Sequence, residues 1–243
     1  MHLIHRGVVS KQYKENLLKS FNQSFKRGYG IETDIHATKD REFICFHDFT
    51  LNRIFKKKRS IKNMKYSQIK KISTQNKKPI PLLKDLLKTS KNKYPLFIEI
   101  KPTFSKSLLQ KLLKETSKFS KCVFISFKHQ NIYNLLKIKS SAKVGLSFSP
   151  FTSIKSALKA FGTDAKTTKV GLIHFQRNGS DSSSYNKNNS LDGISISIAE
   201  VFDFSNDQER YNRIQKYCKL SNEELSLSTI DKVNWLCYYV LLN

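Results

Sequence analysis

"GIETDIHAT", residues 30 to 38, alternates apolar with charged or ring-bearing side chains, and its reading decides the fold. On an extended strand, residues two apart share a face, so Glu32 and Asp34 point the same way, with His36 one step further along that face. A strand that buries one face and carries carboxylates on the other needs a reason for those carboxylates. A second stretch of the same kind, "FHDFTLNR" at 46 to 53, follows closely and brings His47 and Asp48.

Working outward, short apolar strand candidates stand at 3 to 5, 31 to 37, 42 to 48, 95 to 102, 121 to 127, 143 to 149, 169 to 175 and 192 to 197. Helix-period stretches with leucines three and four apart lie between several of them, at 15 to 28, 81 to 91, 105 to 119 and 130 to 139. Strand followed by helix, repeated, predicts an α/β protein with a parallel sheet and helices outside it. At 243 residues the leading form is a TIM (β/α) barrel in one domain spanning 1 to 243. The piece at about 49 to 80 breaks the rhythm, being basic and short of apolar periodicity, and "GSDSSSYNKNNS" at 179 to 190 reads as a polar loop. The apolar tail "VNWLCYYVLLN", 233 to 243, leaves the closure of the barrel atypical or incomplete. Either this tail takes a strand position in an unusual way, or a partner chain covers the open edge, or the fold is marginally stable.

In a parallel barrel the active-site groups sit at the carboxyl ends of the strands. His5 and Arg6 end the first strand, Glu32 and Asp34 lie on the second, His47 and Asp48 end the next, and Glu99 and Lys101 end "LFIEIK". These segments converge on one rim. Glu32, Asp34 and Glu99 can form an oxygen cage for a hard divalent cation, and without one they would repel each other and drive some pKa values up. Each group alone also has a plain structural reading, as a surface histidine, a turn aspartate or an ion pair within one strand.

The segments "IHRG" (4 to 7), "EN" (15 to 16), "GIETDIHATKD" (30 to 40), "FHDFTLNR" (46 to 53), "IPLLKDLL" (80 to 87) and "FIEIKP" (97 to 102) resemble, in order and spacing, the glycerophosphodiester phosphodiesterases. The resemblance implies a TIM barrel that hydrolyses glycerophosphodiesters to glycerol 3-phosphate and an alcohol, with Mg²⁺ or Ca²⁺ as cofactor. It makes His5 and His47 the acid/base pair, Glu32, Asp34 and Glu99 the metal ligands, and Arg6 and Lys101 the phosphate contacts. Asn16 then ties the first loop to the site, and residues 49 to 80 become the family's small insertion. His36 is a further candidate, whereas His129 and His174 are expected to be structural. The family's closing motifs are not found after Lys101, although 123 to 138 and 193 to 197 resemble a later strand and helix and a further strand.

The chain carries 44 Lys and Arg against 19 Asp and Glu, a formal charge of +25. The lysines run along its whole length, so nucleic acid is not an expected partner; an anionic substrate or an anionic membrane surface suits the charge equally. "KKKRSIK" at 56 to 62 is the one dense run and reads as a solvated loop. Without a signal-peptide layout or an apolar span, the expected compartment is the cytoplasm. Cys45, Cys122, Cys218 and Cys237 are scattered and read as buried free thiols. Two alternatives stay open: a lysophospholipase D-like activity on membrane lipids, and a non-catalytic basic module that binds RNA or acidic lipid. Oligomeric state is not legible.

Overall fold

A computed structural model of the chain describes residues 2–10, 12–148, 169–174, 195–198 and 236–242. In chain order the elements begin β1 (His2–His5), α1 (Leu18–Lys26), β2 (Gly30–Ala37), β3 (Phe43–Cys45), α2 (Asn52–Phe55), α3 (Tyr66–Gln75) and α4 (Leu83–Ser90). They continue with β4 (Leu96–Ile100), α5 (Lys106–Glu115), β5 (Cys122–Ser126), α6 (His129–Ile138), β6 (Val144–Phe148), β7 (Lys169–His174), β8 (Ser195–Ile198) and β9 (Leu236–Leu242).

Strands β1, β2, β4, β5 and β6 pair in parallel, each with the next, as the strand-helix rhythm predicts. Their alternation sorts the side chains into two faces. Ile31, Ile35, Leu96, Ile98, Ile100, Phe124, Val144 and Leu146 face outward and join a core with Phe21 and Phe25 of α1, Leu83 and Leu86 of α4, Leu109 and Leu112 of α5, and Ile132 and Leu135 of α6. Each such side chain contributes roughly 1.5–3 kcal/mol on burial, which fixes the register of every strand. The opposite parity on β2 and β4 is therefore committed to the barrel interior, and there lie Glu32, Asp34 and Glu99. Gly30 opens β2 because a Cβ would come within 2.5 Å of the Pro95 carbonyl oxygen. Helix α5 starts at Ser105, whose Oγ accepts the Leu108 N–H at 3.3 Å, a cap worth about 1 kcal/mol.

One expectation changes. Residues 42 to 48 do not form a barrel strand: β3 pairs antiparallel with β2, Cys45 opposite Ile35 and Phe43 opposite Ala37. The link from Ala37 to Phe43 is far too short for the crossover that a parallel pairing requires. The chain therefore doubles back, and the Phe46 N–H bonds the Asp34 carbonyl at 2.9 Å, which returns His47 to the rim from above.

The basic stretch at 49 to 80 folds around an apolar cluster of its own. Leu51, Phe55, Ile61, Met64, Ile69 and Ile80 pack with Ile44, Phe46 and Leu82 beneath α2 and α3. The apolar residues stand singly among lysines, so no periodic stripe announces the helix at Tyr66–Gln75. Within "KKKRSIK", Lys56 to Arg59 are exposed, but Ile61 is buried in this cluster.

The last strands run counter to a uniform parallel barrel. β9 inserts between β6 and β7, antiparallel to both, and β8 joins β7 and β1 antiparallel. Since β1 also pairs with β2, the strands β1, β2, β4, β5, β6, β9, β7 and β8 form a closed circuit. The fold is thus a TIM-type barrel whose first half is regular and whose closure is atypical, with the apolar tail supplying a wall strand. An antiparallel strand can enter from the opposite rim without a crossover helix. The loop at 179 to 190, Cys218, and the side chains of His174 and Cys237 lie outside the described residues; Cys45 and Cys122 are buried free thiols. Among the described residues no helix is long and apolar enough to cross a membrane.

Candidate active site

Register brings the charged residues together. His5 stands opposite Glu32, and Asp34 opposite Glu99, across the β1–β2 and β2–β4 seams. One oxygen from each of Glu32, Asp34 and Glu99 lies within 4.8 Å of the others, and all three residues are buried. Two cations flank them. Lys101 Nζ lies 2.8 Å from Glu99 Oε1 and 3.2 Å from Asp34 Oδ1, and Arg6 Nε lies 3.2 Å from Asp34 Oδ2.

The electrostatics divide the triad. Burial raises the Asp34 carboxyl, but Lys101 and Arg6 outweigh it and hold Asp34 well below the usual carboxylate range. Burial, with Asp34 and Glu99 beside it, pushes Glu32 well above that range. Glu99 also rises through burial, with Lys101 opposing. Glu32 Oε2 is a buried oxygen without a hydrogen bond; His5 Nε2 is 3.7 Å away, beyond hydrogen-bond reach. A buried oxygen with an open lone pair, next to two further carboxylates, fits a hard divalent cation bound by Glu32, Asp34 and Glu99. Such an ion would also keep Glu32 ionised.

The loop after β1 is shaped to deliver Arg6. Arg6 adopts φ +56°, a left-handed conformation that non-glycine residues hold only when their surroundings enforce it. Its N–H bonds the Glu32 carbonyl at 2.8 Å, and its own carbonyl accepts the Asn16 N–H at 2.9 Å. Gly7 follows at φ +75°, where a Cβ would meet the Ser20 backbone at 2.8 Å. Asn16 is 2 % exposed; its Nδ2 donates to Asp34 Oδ2 at 3.2 Å and its Oδ1 accepts the Thr33 hydroxyl at 2.7 Å. These bonds join the loop after β1 to β2.

The histidines differ in their surroundings. His5 is buried, and burial together with Arg6 lowers its pKa well below the ordinary value. His47 is half-buried, its pKa lowered by burial, and its Nδ1–H donates to Asp48 Oδ1 at 2.7 Å. His36 is buried on β2 with its pKa lowered by burial to about 4; its Nε2–H donates to the His47 carbonyl at 3.1 Å. His36 thus supports the backbone of His47. His129 opens α6 and its ring nitrogen bonds the Ser147 carbonyl at 3.0 Å, a structural contact.

Three charged residues join the site that the sequence left unassigned. Asp48 holds His47, Arg53 Nε donates to Asp48 Oδ2 at 2.6 Å, and Arg53 also engages Glu15, whose Oε1 lies 3.4 Å from Arg6 Nη1. Their signal was present in "EN", "HD" and "LNR", but spacing alone does not reveal that these three segments meet.

The family model of the glycerophosphoryl diester phosphodiesterases matches residues 5–157, more than half of the chain and every site residue named above. The chain belongs to this family. It is 28% identical over 161 residues to the glycerophosphodiester phosphodiesterase of Caldanaerobacter subterraneus subsp. tengcongensis, covering 60% of this chain and 65% of that protein. It is 31% identical over 107 residues to a glycerophosphodiester phosphodiesterase of Bacillus altitudinis, covering 40% and 43%. The chain therefore spans less than two thirds of the length of these relatives. Among solved structures, the glycerophosphodiester phosphodiesterase of Thermotoga maritima aligns with a TM-score of 0.50 at 27% identity, over 59% of this chain and 60% of that one. A phosphodiesterase of Oleispira antarctica, in complex with the product sn-glycerol-3-phosphate, aligns with a TM-score of 0.57 at 20% identity, over 66% and 71%, and shares the fold.

Proposed function

We propose that the protein is a metal-dependent glycerophosphodiester phosphodiesterase, a single barrel domain with residues 49 to 80 as an insertion over the site, which releases glycerol 3-phosphate and an alcohol. The observation that carries this reading is the buried Glu32, Asp34 and Glu99 triad flanked by Arg6 and Lys101, with two histidines on the same rim. Family membership supports the reaction class, and the product complex of the Oleispira relative agrees with a small phosphodiester as substrate.

A phosphodiester is an anion that resists nucleophiles, so its hydrolysis depends on neutralising charge at the nonbridging oxygens. Arg6 and Lys101 supply two fixed cations at the rim. Glu32, Asp34 and Glu99 would hold a divalent ion, Mg²⁺ or Ca²⁺, which when bound would supply Lewis-acid stabilisation of developing charge. One imidazole of the His5 and His47 pair takes the proton from the attacking water or glycerol 2-hydroxyl, and the other protonates the leaving alkoxide; where the 2-hydroxyl attacks, water then opens the cyclic phosphate to glycerol 3-phosphate. Burial keeps both rings neutral before substrate arrives, which suits the base directly. The approach of the phosphodiester monoanion raises the proton affinity of the second ring and suits the acid.

The test is incubation with glycerophosphocholine and glycerophosphoethanolamine in Mg²⁺, Ca²⁺ or EDTA, with glycerol 3-phosphate as readout and Glu32→Ala as control. Metal-dependent release that the control lacks is the expected result. No release from folded protein under any condition overturns the proposal.

A further inference from the structure

Four ionic contacts and one hydrogen bond run without a break from the carboxylate triad to the rim histidine. Asp34 Oδ2 meets Arg6 Nε at 3.2 Å, and Arg6 Nη1 meets Glu15 Oε1 at 3.4 Å. Glu15 Oε2 then accepts from Arg53 Nη1 at 3.2 Å, with a second contact from Nη2 to Oε1. Arg53 Nε reaches Asp48 Oδ2 at 2.6 Å, and Asp48 Oδ1 accepts the His47 Nδ1–H at 2.7 Å. The chain crosses between two loops that share no strand, the one after β1 and the one after β3.

Arg53 is the joint. It rides on the four-residue helix α2 and is 47% exposed, and exposed ion pairs contribute little to stability. A guanidinium has the fork needed to grip two carboxylates at once, which an ammonium lacks. Asp48 has one oxygen for the histidine and the other for Arg53, so the carboxylate cannot turn without breaking one bond. Glu15 is likewise shared between Arg6 and Arg53.

We propose that Arg53 and Glu15 form a clamp that positions both sides of the site: through Asp48 it fixes the His47 ring in its Nδ1–H tautomer, and through Glu15 it fixes the Arg6 guanidinium. Arg53, Glu15 and Asp48 are positioning residues. They touch no reacting atom, and they act only through His47 and Arg6. This inference rests on the hydrolase reading for its kinetic consequences but not for its structural ones.

Two measurements test it. In steady-state hydrolysis of glycerophosphocholine with Mg²⁺, Arg53→Ala lowers kcat by about 10- to 100-fold, the usual effect of removing a supporting contact, while KM stays within about threefold. Added guanidinium ion restores part of the lost kcat, and Arg53→Lys retains part of it. Because Arg53 reaches His47 only through Asp48 but reaches Arg6 through Glu15, Arg53→Ala costs clearly less in the Asp48→Ala background than in the native chain, so the double variant loses less than the product of the two single losses. An unchanged kcat in Arg53→Ala, or fully multiplicative losses in the double variant, overturns the clamp. The second measurement needs no turnover: long-range ¹H–¹⁵N spectra, with the His47 ring assigned through His47→Gln, read the tautomer. A single Nδ1–H form in the native chain that becomes mixed in Arg53→Ala is expected, and an unchanged tautomer overturns the proposal. If the native chain is inactive while the tautomer still responds to Arg53→Ala, the hydrolase reading falls and the clamp stands.

Discussion

Lys101 Nζ lies 3.2 Å from Asp34 Oδ1, and the same ammonium also holds Glu99. One cation therefore occupies lone pairs on two of the carboxylates that a divalent ion would use. Lys101→Met should separate the two roles. Turnover falls by about 100-fold or more, as when a single transition-state donor is lost, while divalent affinity by calorimetry is unchanged or tighter because a competitor has gone. A parallel loss of metal affinity and turnover would show that Lys101 organises the cage.

Asp34 is the most heavily engaged carboxylate, meeting Arg6, Lys101 and Asn16 at once. Asp34→Asn keeps the shape and removes the charge that balances both cations. Metal affinity then drops, and with it the metal-induced rise in melting temperature. Calorimetry reads the outcome, and an unchanged Kd counts against Asp34 as a ligand.

His47 sits on the rim with its ring half-exposed, so its loss leaves the core untouched. His47→Ala should reduce turnover by about 10² to 10⁴, the range of acid-base catalysis, with the circular dichroism and melting profile retained. Near-native turnover would remove His47 from the mechanism.

Much of this was legible in the sequence because strand parity is a strict code. Ile31 and Ile35 had to face the helices, so Glu32 and Asp34 had to face inward, and the apolar "LFIEI" did the same for Glu99. What was not legible depends on contacts without period. The cap cluster of Leu51, Ile61 and Ile69 uses isolated apolar residues in a lysine-rich stretch. The pairing of Glu15 with Arg53, 38 residues apart, needs the fold before it exists. The composition of β3 is that of a wall strand, and only the short link from Ala37 dictates the antiparallel return. The strand character of the tail was visible, but its insertion between β6 and β7 was not, since sequence gives no partner for a lone apolar run.

Buried neutral histidines make the fold acid-sensitive. Burial lowers the His36 pKa to about 4, below the 6.5 of an exposed ring, so the unfolded chain binds more protons between those values. His36 stability is therefore complete above about pH 6.5 and is lost progressively as pH falls towards 4, and the lowered pKa values of His5 and His47 act in the same direction. The depressed Asp34 carboxyl adds a further loss at lower pH, as its own proton returns. Melting temperature should be level above pH 7 and decline below 6.5. His36→Gln, which keeps a donor for the His47 carbonyl, should shallow that decline; an identical slope would remove His36 from the account.

Ile69 of α3 is fully buried in the cluster that also holds Ile44 and Phe46, the apolar residues just before His47. Ile69→Ala should cost about 2–5 kcal/mol, and the opening should be local because this cluster is separate from the main core. Protease sites at the exposed lysines 56 to 58 and at Lys77 then become labile, and turnover falls with them because the loop carrying His47 loses its floor. Lys57→Glu with Lys58→Glu changes the charge of the same segment without touching the cluster, and surface substitutions of this kind usually stay within about 0.5 kcal/mol. The double charge variant should therefore keep its protease resistance and its turnover at saturating substrate. Native turnover in Ile69→Ala with the insertion cleaved would mean that the β2–β3 hairpin and the Phe46 to Asp34 backbone bond hold His47 by themselves.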